Sequence, residues 1–395
     1  MKIYLLFPIW IFVFILSSCT REDYTNHPGS CENHRVFNTH HPMKDSIQSF
    51  LDKYVAKGLP GAEVMVKNKD GWFFATRGFA SLESRTAFEP CTPSWQFSIT
   101  KTFTAVLTLK QVEKGNLDLE HAIKDYLPSG IKTKVPSAEK ITLRMLLNHS
   151  SGLVNVTELP EFMVGQLNDP VHQPNPGQMV DMIAGLPLLY EPGTDFFYSN
   201  TNYLLLHAIL EEISQKPYAT LLKEEILEPM GLQHTWYGLS AEQTESLGFP
   251  DYYFDRYANE QLENCKTWNA ALARASNAFG GIAANPEEVI LFYSALLNGK
   301  VLGETSLHEM KKWFTGKESG LAEYGLGLEC YHYGGQLQYG HEGDGIGNST
   351  QILYFPGSDT YLYIQTNVGR QLFGPYLFKI TDLKNELCNY VAKFN

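Results

Sequence analysis

Ser98 and Lys101 are the residues of this sequence that best fit the requirements of nucleophilic catalysis. A serine hydroxyl is a poor nucleophile at neutral pH and needs a base within hydrogen-bond reach. On a helix, a lysine three residues later lies on the same face, one turn away. Two other Ser-x-x-Lys pairs, at 129–132 and 137–140, lie in a polar stretch with prolines, whereas Ser98 opens an apolar helix. We therefore predict Ser98 as nucleophile and Lys101 as its base.

The start of a helix is a favourable place for this chemistry. The N-terminal end of a helix carries positive potential, which stabilises an oxyanion that develops beside Ser98. Lys101 follows in the first turn, where apolar neighbours remove water from the amine. That desolvation lowers the pKa of a lysine toward the range of a usable base.

Two further polar motifs follow in the chain. Tyr198 and Asn200 form a Tyr-x-Asn element, and His341 and Gly343 enclose Glu342 in a strand triplet. The same two patterns also occur at residues 24–26, 257–259, 27–29 and 332–334. The two matches before residue 30 lie in a polar N-terminal segment. Only His341 has a glycine immediately before it and a glycine-rich run immediately after it.

The order of these motifs resembles the signature of the β-lactamase and penicillin-binding-protein superfamily. Class C β-lactamases, D-alanyl-D-alanine carboxypeptidases, D-aminopeptidases and related esterases share it. The flanking segments are also similar to the family's, at residues 146–153, 191–194, 198–203, 279–282, 324–327 and 366–367. The resemblance covers roughly residues 45 to 390.

The resemblance implies a role for each candidate residue. Ser98 attacks a carbonyl carbon and forms an acyl-enzyme. Lys101 and Tyr198 share the proton transfers, and the lysine charge shifts the phenol toward phenolate. The backbone N–H groups of Ser98 and of the residue after the triplet form the oxyanion hole. The substrate-binding residues that the resemblance implies are Asn200, His341, Gly343 and Asp344.

The strand triplet departs from the family pattern. Many relatives carry a hydroxyl at its middle position, where this sequence has Glu342, and Asp344 follows. Two carboxylates would repel a substrate carboxylate at ~4 Å by about 1 to 4 kcal/mol. Because neighbouring strand residues face opposite ways, one of the two acids could point outward. This departure favours neutral esters over penicillins and peptide C-termini.

Several functions remain open at this point. Residues 249–257, with Trp236 and Trp268, are rich in aromatics, which either pack in the core or form a wall for an apolar substrate. A serine hydrolase acting on an ester or amide is the first expectation. A water-excluding aromatic wall would favour an acyltransferase that uses an apolar alcohol. A true β-lactamase or D-Ala-D-Ala carboxypeptidase is also compatible with the motifs, whereas a catalytically silent binding protein is disfavoured because the motifs are intact.

Other classes of function are excluded by composition and motif. The formal net charge is -12, with no cluster of Lys and Arg, which argues against a nucleic-acid partner. The chain has no Gly-x-Ser-x-Gly elbow, metal-hydrolase motif, P-loop or dinucleotide glycine pattern. We therefore expect no cofactor and no metal, and a small molecule or short peptide as substrate.

The N-terminus predicts export. Lys2 precedes a largely apolar run at 3–16, which ends in Leu-Ser-Ser-Cys at 16–19. A short apolar run behind one positive charge is typical of a signal peptide and is too short to span a membrane comfortably. The ending resembles a bacterial lipobox, which implies cleavage before Cys19 and acylation of its thiol. Residues 20–23 resemble the sorting tag of surface lipoproteins in Bacteroidetes. We expect a lipid-anchored protein of the bacterial envelope, on the outer membrane.

The chain is expected to contain three regions. Residues 1–18 are the signal peptide, 19–43 a lipid-anchored polar tether, and 44–395 the hydrolase domain. In the domain, period-2 patterns at 62–66, 72–78, 349–355 and 361–366 predict strands, and the middle of the chain reads as helical. A last helix is expected from about 381 to 394. The predicted fold is α+β, an antiparallel sheet built from both chain ends, flanked by helices, with a mainly helical subdomain. Five cysteines follow Cys19, an odd number that cannot all pair internally; an exported protein can form a disulfide, the sequence does not choose a pairing, and buried free thiols are the default expectation.

Overall fold

An eight-stranded antiparallel sheet forms the centre of the molecule. The computed structural model describes residues 35–317, 322–370 and 374–394. The strands are β1 (Gly61–Asn68), β2 (Gly71–Gly78), β3 (Ser94–Trp95), β4 (Thr235–Tyr237), β5 (Tyr253–Phe254), β6 (Glu263–Asn264), β7 (Ile282–Ala284), β8 (Phe314–Thr315), β9 (Ala322–Tyr324), β10 (Glu329–Tyr333), β11 (Gln336–Asp344), β12 (Ser349–Phe355) and β13 (Thr360–Thr366). The order in the large sheet is β2-β1-β13-β12-β11-β10-β9-β8. The predicted antiparallel sheet from both chain ends is therefore confirmed.

The helices cover both faces of the sheet and fill the middle of the chain. They are α1 (Lys44–Ala56), α2 (Thr100–Glu113), α3 (Ser129–Lys132), α4 (Leu143–Leu147), α5 (Pro160–Asn168), α6 (Pro176–Ile183), α7 (Asn200–Ser214), α8 (Tyr218–Leu222), α9 (Glu228–Met230), α10 (Ala241–Ser246), α11 (Lys266–Ala275), α12 (Asn277–Gly280), α13 (Pro286–Leu297), α14 (Glu304–Met310) and α15 (Pro375–Lys393). A π-helical turn, Lys223–Leu227, joins α8 to α9. The last helix begins earlier than the sequence pattern predicted, with proline in its first turn.

The central strands are apolar on both faces because each face is covered. Val64 of β1 pairs with Ile364 of β13, and both belong to the core beneath α1 and α15. Their neighbours Met65 and Tyr363 point the other way, into the core of the helical region. Alternate residues of a strand face opposite sides, so two cores require apolar residues at every position.

Helix α2 lies in the interior, where it positions the candidate nucleophile. It packs against α7 and α12, and nearly all of its first eleven residues are fully buried. A short 3₁₀ turn, Phe97–Ile99, precedes it and packs against β11 and α12. Helix, turn and strand thus bring together segments that lie far apart in the sequence.

The end of the predicted polar tether is part of the packed body. Met43 and His41 are buried, and the His41 ring Nε2 lies 3.1 Å from Oδ1 of Asn68. Phe37 forms a parallel bridge to Trp72 of β2. Ordered packing therefore begins before residue 44, because the apolar residues among these cover the sheet edge. Residues 1–34, with Cys19, lie outside the described residues.

The cysteines differ in part from expectation. Cys91 is disulfide-bonded, which corrects the prediction of free thiols at that position. Cys265 and Cys388 are buried free thiols, as predicted. Within residues 35–317, 322–370 and 374–394, no helix combines the length and apolar character needed to cross a membrane.

Candidate active site

Ser98 lies in a strained turn at the entrance to α2. The preceding residue, Phe97, has a φ of 43°, which non-glycine residues rarely adopt. Such strain persists only where the surroundings hold it, and it clusters at functional sites. Here the buried Phe97 ring fits against Gly345, where an added Cβ would overlap the ring. Gly343 also allows the turn to pack closely, because a Cβ at this position would overlap the carbonyl oxygen of Gln96.

Ser98 opens into a cavity of about 620 Å³. Its wall includes Ser98, Tyr198, Asn200 and Asp344 among the residues predicted from sequence. Lys101 and His341 are fully buried behind that wall, and Gly343 lies against the turn. The remaining lining residues include Phe97, Asn155, Thr157, Glu158, Phe162, Met163, Gln166, Phe196, Leu272, Ser276, Phe279, Tyr324, Glu329, Cys330, Tyr331 and Glu342.

Lys101 makes three polar contacts from a site without water access. Its Nζ lies 3.0 Å from Oγ of Ser98, 2.7 Å from Oδ1 of Asn200 and 3.0 Å from the carbonyl oxygen of Phe279. Burial lowers the pKa of Lys101 well below its usual value, although the Glu329 carboxyl opposes that shift. The amine is therefore poised to be neutral.

These contacts fit Lys101 in both of its protonation states. The three oxygens match the three N–H bonds of the ammonium form, in which Nζ donates to Oγ of Ser98. In the neutral amine, the oxygens of Asn200 and Phe279 accept from the two N–H bonds, because neither oxygen can donate. The lone pair is then left for the hydroxyl of Ser98. This is the geometry that a general base requires.

Tyr198 is placed to exchange a proton with Ser98, but as a neutral phenol. Both side chains line the same cavity, and Nζ of Lys101 lies 4.8 Å from the centre of the Tyr198 ring. Burial raises the pKa of Tyr198 well above its usual value, and the Glu329 carboxyl adds to the shift. The expected phenolate is therefore wrong, because burial favours the neutral phenol. A neutral phenol carries a proton that it can donate.

His149 holds the segment that carries Tyr198 and Asn200. Its Nδ1 accepts a hydrogen bond from the backbone N–H of Ser199, 3.2 Å away, and lies 3.0 Å from Nδ2 of Asn202. Its ring also packs on Tyr198 with centroids 4.4 Å apart. Burial, followed by the Lys101 charge, lowers the pKa of His149 well below its usual value. A neutral His149 thus fixes the start of α7.

Asn200 is occupied in positioning Lys101. Its Oδ1 accepts from the lysine, and its Nδ2 donates to Oγ1 of Thr157 at 2.8 Å. Its backbone N–H donates to Oδ1 of Asn155 at 3.0 Å. The side chain also lines the cavity.

His341 is a buried, neutral residue of β11. Its Nδ1 lies 2.6 Å from the carbonyl oxygen of Glu342, which can only accept, so Nδ1 carries the proton. Its Nε2 then accepts from the hydroxyl of Tyr324 at 2.7 Å. Burial, with the Lys101 charge next, lowers the pKa of His341 to about 3. His341 therefore orients Tyr324 in the cavity wall, and its substrate contact stays a prediction.

Glu342 and Asp344 do not form an uncompensated acidic patch. They are two residues apart on β11, so they point to the same side, and neither faces outward alone. Arg370 forms an ion pair with Glu342 and another with Asp344, the latter at 2.7 Å. Lys384 lies 3.3 Å from Glu342. These cations correct the expectation that two free carboxylates repel an anionic substrate.

The aromatic segment at 249–257 does not form the substrate wall. Phe249, Tyr252 and Tyr253 are buried in the core, whereas Tyr257 is exposed. The aromatic side of the cavity comes from other parts of the chain, namely Phe97, Phe162, Phe196, Tyr198, Phe279 and Tyr324. The core interpretation of residues 249–257 therefore applies, and the aromatic lining of the cavity has a different origin in the chain.

Comparison with known families identifies this arrangement. The family model described as Beta-lactamase matches residues 47–373, a span that contains the nucleophile, its base and the triplet strand. The chain belongs to the beta-lactamase family. The order of the sequence motifs predicted membership of the β-lactamase and penicillin-binding-protein superfamily, and that prediction is confirmed.

Solved structures of other beta-lactamase-fold proteins superpose on most of the chain. A D-stereospecific amidohydrolase from Streptomyces sp. is 26% identical, with a TM-score of 0.72 over 83% of this chain and 95% of that one. D-amino acid amidase from Ochrobactrum anthropi SV3, in complex with D-phenylalanine, is 24% identical, with a TM-score of 0.76 over 89% and 99%. The second similarity establishes the fold alone.

The curated relatives of this beta-lactamase family member match shorter stretches. Protein flp from Staphylococcus aureus is 27% identical over 198 residues, which cover 49% of this chain and 38% of the relative. The chain thus spans less than half the length of that relative. N-acetylmuramyl-L-alanine amidase from Bacillus subtilis is 27% identical over 301 residues, or 67% of this chain and 65% of the relative.

Some residues of the beta-lactamase-family site were not found from sequence. His149 and Phe279 lie in segments that matched the family, but no role was assigned to either. The ion-pair partner Arg370 and the cavity carboxyl of Glu329 had no sequence signal. Their positions depend on which strands and loops meet at the sheet edge. The competing motif matches at Ser129 and His332 lie away from the cavity lining.

Proposed function

We propose that the chain is a serine hydrolase that cleaves an ester or amide through an acyl-enzyme on Ser98. The observation that carries this proposal is the 3.0 Å distance between Nζ of Lys101 and Oγ of Ser98. Two carbonyl acceptors, on Asn200 and Phe279, hold Nζ in place beside the Ser98 hydroxyl. The family assignment and the amidohydrolase from Streptomyces sp. support hydrolysis of an acyl bond.

The mechanism follows from the proton positions. Lys101 takes the proton of Ser98 as Oγ forms a bond to the substrate carbonyl carbon. The backbone N–H groups of Ser98 and Asp344 stabilise the oxyanion. Neutral Tyr198 donates its proton to the leaving group, which leaves a tyrosinate beside protonated Lys101, and the proton on Lys101 then restores the phenol. A water then attacks the acyl-enzyme, with the same groups acting in the reverse order.

The test is acyl labelling of the purified protein. Incubation with a slowly released nitrophenyl ester should add one acyl group, and peptide mapping should place it on Ser98. Ser98→Ala should show neither adduct nor turnover. Ser276→Ala is the matched control, because Ser276 lines the same cavity and donates to the carbonyl oxygen of Leu272 at 2.8 Å. Labelling of the Ser98→Ala protein would exclude the proposed nucleophile.

We also propose that the protein is a lipoprotein of the bacterial envelope, anchored through Cys19. The lipobox-like residues at 16–19 support this, and so does the disulfide at Cys91, since disulfides persist in oxidising compartments. Cys19→Ala should leave the chain unprocessed or release it from membranes. A variant that is processed and fractionates with membranes like the wild type would contradict the anchor.

A further inference from the structure

The cavity beside Ser98 is lined by both apolar and carboxyl side chains. The apolar ones include Phe162 and Met163 from α5, Phe196, and Leu272 and Phe279 from α11 and α12. Carboxyl groups come from β10 and β11. A substrate that fills this cavity therefore meets both kinds of side chain.

The carboxyl groups of this cavity are not equivalent. Glu342 and Asp344 are engaged by Arg370 and Lys384. Glu158 is exposed to solvent, so water screens its charge. Glu329 remains, with 18% of its side chain exposed. Among the described residues, no lysine or arginine forms an ion pair with it.

The contacts of Glu329 leave one of its oxygens available to a ligand. Oε2 accepts from the backbone N–H of Glu342 at 2.9 Å and from the hydroxyl of Tyr331. Oε1 lies 3.7 Å from Nδ1 of His341, whose proton is already donated to a carbonyl oxygen. No other described residue donates to Oε1. Two donors thus hold the carboxyl in place, while its second oxygen has no hydrogen-bond partner within the described part of the chain.

We propose that Glu329 binds the ammonium group of the substrate, so that the hydrolase acts on esters or amides of amine-bearing acids with an apolar side chain. This inference rests on the proposed Ser98 chemistry and names its substrate class. Burial and the neighbouring charge of Glu342 raise the pKa of Glu329 to about 8. An ammonium group supplies the missing opposite charge and favours the carboxylate form.

The experiment compares two substrates that differ only in the amine. They are a phenylalanine nitroanilide, in both enantiomers, and the 3-phenylpropionic acid nitroanilide. The wild type should have a higher kcat/KM for the amine-bearing substrate. Glu329→Gln should lower that preference on the order of tenfold to a hundredfold, as expected for a hydrogen bond between charged groups. Turnover of the des-amino substrate should persist, which shows that the variant is folded.

Glu158→Gln is the matched control, because it removes the other carboxyl that faces the cavity without an ion pair. It should retain the preference for the amine. Loss of the preference in Glu158→Gln with retention in Glu329→Gln would overturn the assignment. So would a wild type without any preference while Ser98 is still acylated. Absence of acylation on Ser98 would instead reject the underlying hydrolase proposal.

A measurement on the wild type covers the case in which the variant does not fold. 2-Phenylethylamine should inhibit hydrolysis of the des-amino substrate at least tenfold more strongly than its uncharged analogue, 2-phenylethyl methyl ether. The inhibition should weaken as salt rises, because the ion pair is partly screened. Equal inhibition by the two compounds would overturn the proposal.

Discussion

Oδ1 of Asn200 lies 2.7 Å from Nζ of Lys101, so the charge of this one side chain controls the protonation of the base. Asn200→Asp places a carboxylate at that distance and favours the charged lysine. An opposite charge so close shifts a pKa by about 1 to 3 units. We expect kcat/KM for a nitrophenyl ester to fall about ten- to a thousandfold at neutral pH.

The direction in which Asn200→Asp changes the pKa of Lys101 can be checked from the pH profile of the variant. Lys101 acts as a base only above its own pKa, and the carboxylate raises that pKa. Activity of the variant should therefore recover as pH rises, and the acid limb of its pH profile should lie at higher pH than that of the wild type. A profile of unchanged shape, merely scaled down, would mean that Asn200 acts on the substrate and not on the lysine.

Tyr198→Phe should separate substrates by their leaving groups. The neutral phenol supplies a proton, which an anilide leaving group needs and a nitrophenolate does not. We expect a loss on the order of a hundredfold for an anilide and a much smaller loss for a nitrophenyl ester. Tyr203→Phe is the control, since its hydroxyl donates to the carbonyl oxygen of Leu147 at 2.8 Å. Equal losses on both substrates for Tyr198→Phe would contradict the proton-donor role.

Arg370 should determine how the cavity treats anionic substrates. Arg370→Met removes the ion pairs with both Glu342 and Asp344, while the contact of Lys384 with Glu342 at 3.3 Å remains. Uncompensated carboxylates repel a cephalosporin but not a neutral ester. We expect the ratio of cephalosporin to ester kcat/KM to fall on the order of tenfold, about 1.4 kcal/mol.

Arg370→Lys retains the positive charge and should preserve most of that ratio. The measurement uses a chromogenic cephalosporin and a nitrophenyl ester on one preparation. It also tests the preference for esters over β-lactams, which remains a prediction. An unchanged ratio in Arg370→Met would show that this ion-pair cluster does not influence the substrate.

Glu63 should make the stability of the protein depend on pH. It is fully buried on β1, and neither carboxyl oxygen has a hydrogen-bond partner among the described residues. Burial raises the pKa of Glu63 well above its usual value, so the folded state holds it protonated. The contribution of Glu63 to the free energy of unfolding is fully present below the pKa of the unfolded state, which is about 4.3. As the pH rises from that value toward the pKa of the folded state, the free energy of unfolding falls by about 1.4 kcal/mol per pH unit.

Glu63→Gln removes that dependence while preserving the shape of the side chain. Relative to wild type, the variant should gain free energy of unfolding between pH 5 and pH 8 in urea denaturation. Glu245→Gln, at an exposed position, should show no such gain. A constant difference between Glu63→Gln and the wild type across this range would rule out a protonated, buried Glu63.

Sequence patterns were sufficient to predict the features of this protein that depend on residues close together in the chain. Ser98 and Lys101 were found because a spacing of three residues on one helix is itself a geometric constraint. The strands near both chain ends were predicted because the alternation of apolar and polar residues, and the turn residues that bound it, extend over only a few positions. The family resemblance then extended these local signals to Tyr198 and to the triplet strand.

Only the tertiary structure decided the electrostatics of the site. Whether Glu342 and Asp344 repel an anion depends on Arg370 and Lys384, which reach them from later segments. Whether Tyr198 is a phenol or a phenolate depends on the water it loses, and burial is a property of the whole fold. Charge and hydration act through space rather than along the chain, so distances between residues hundreds of positions apart determine them.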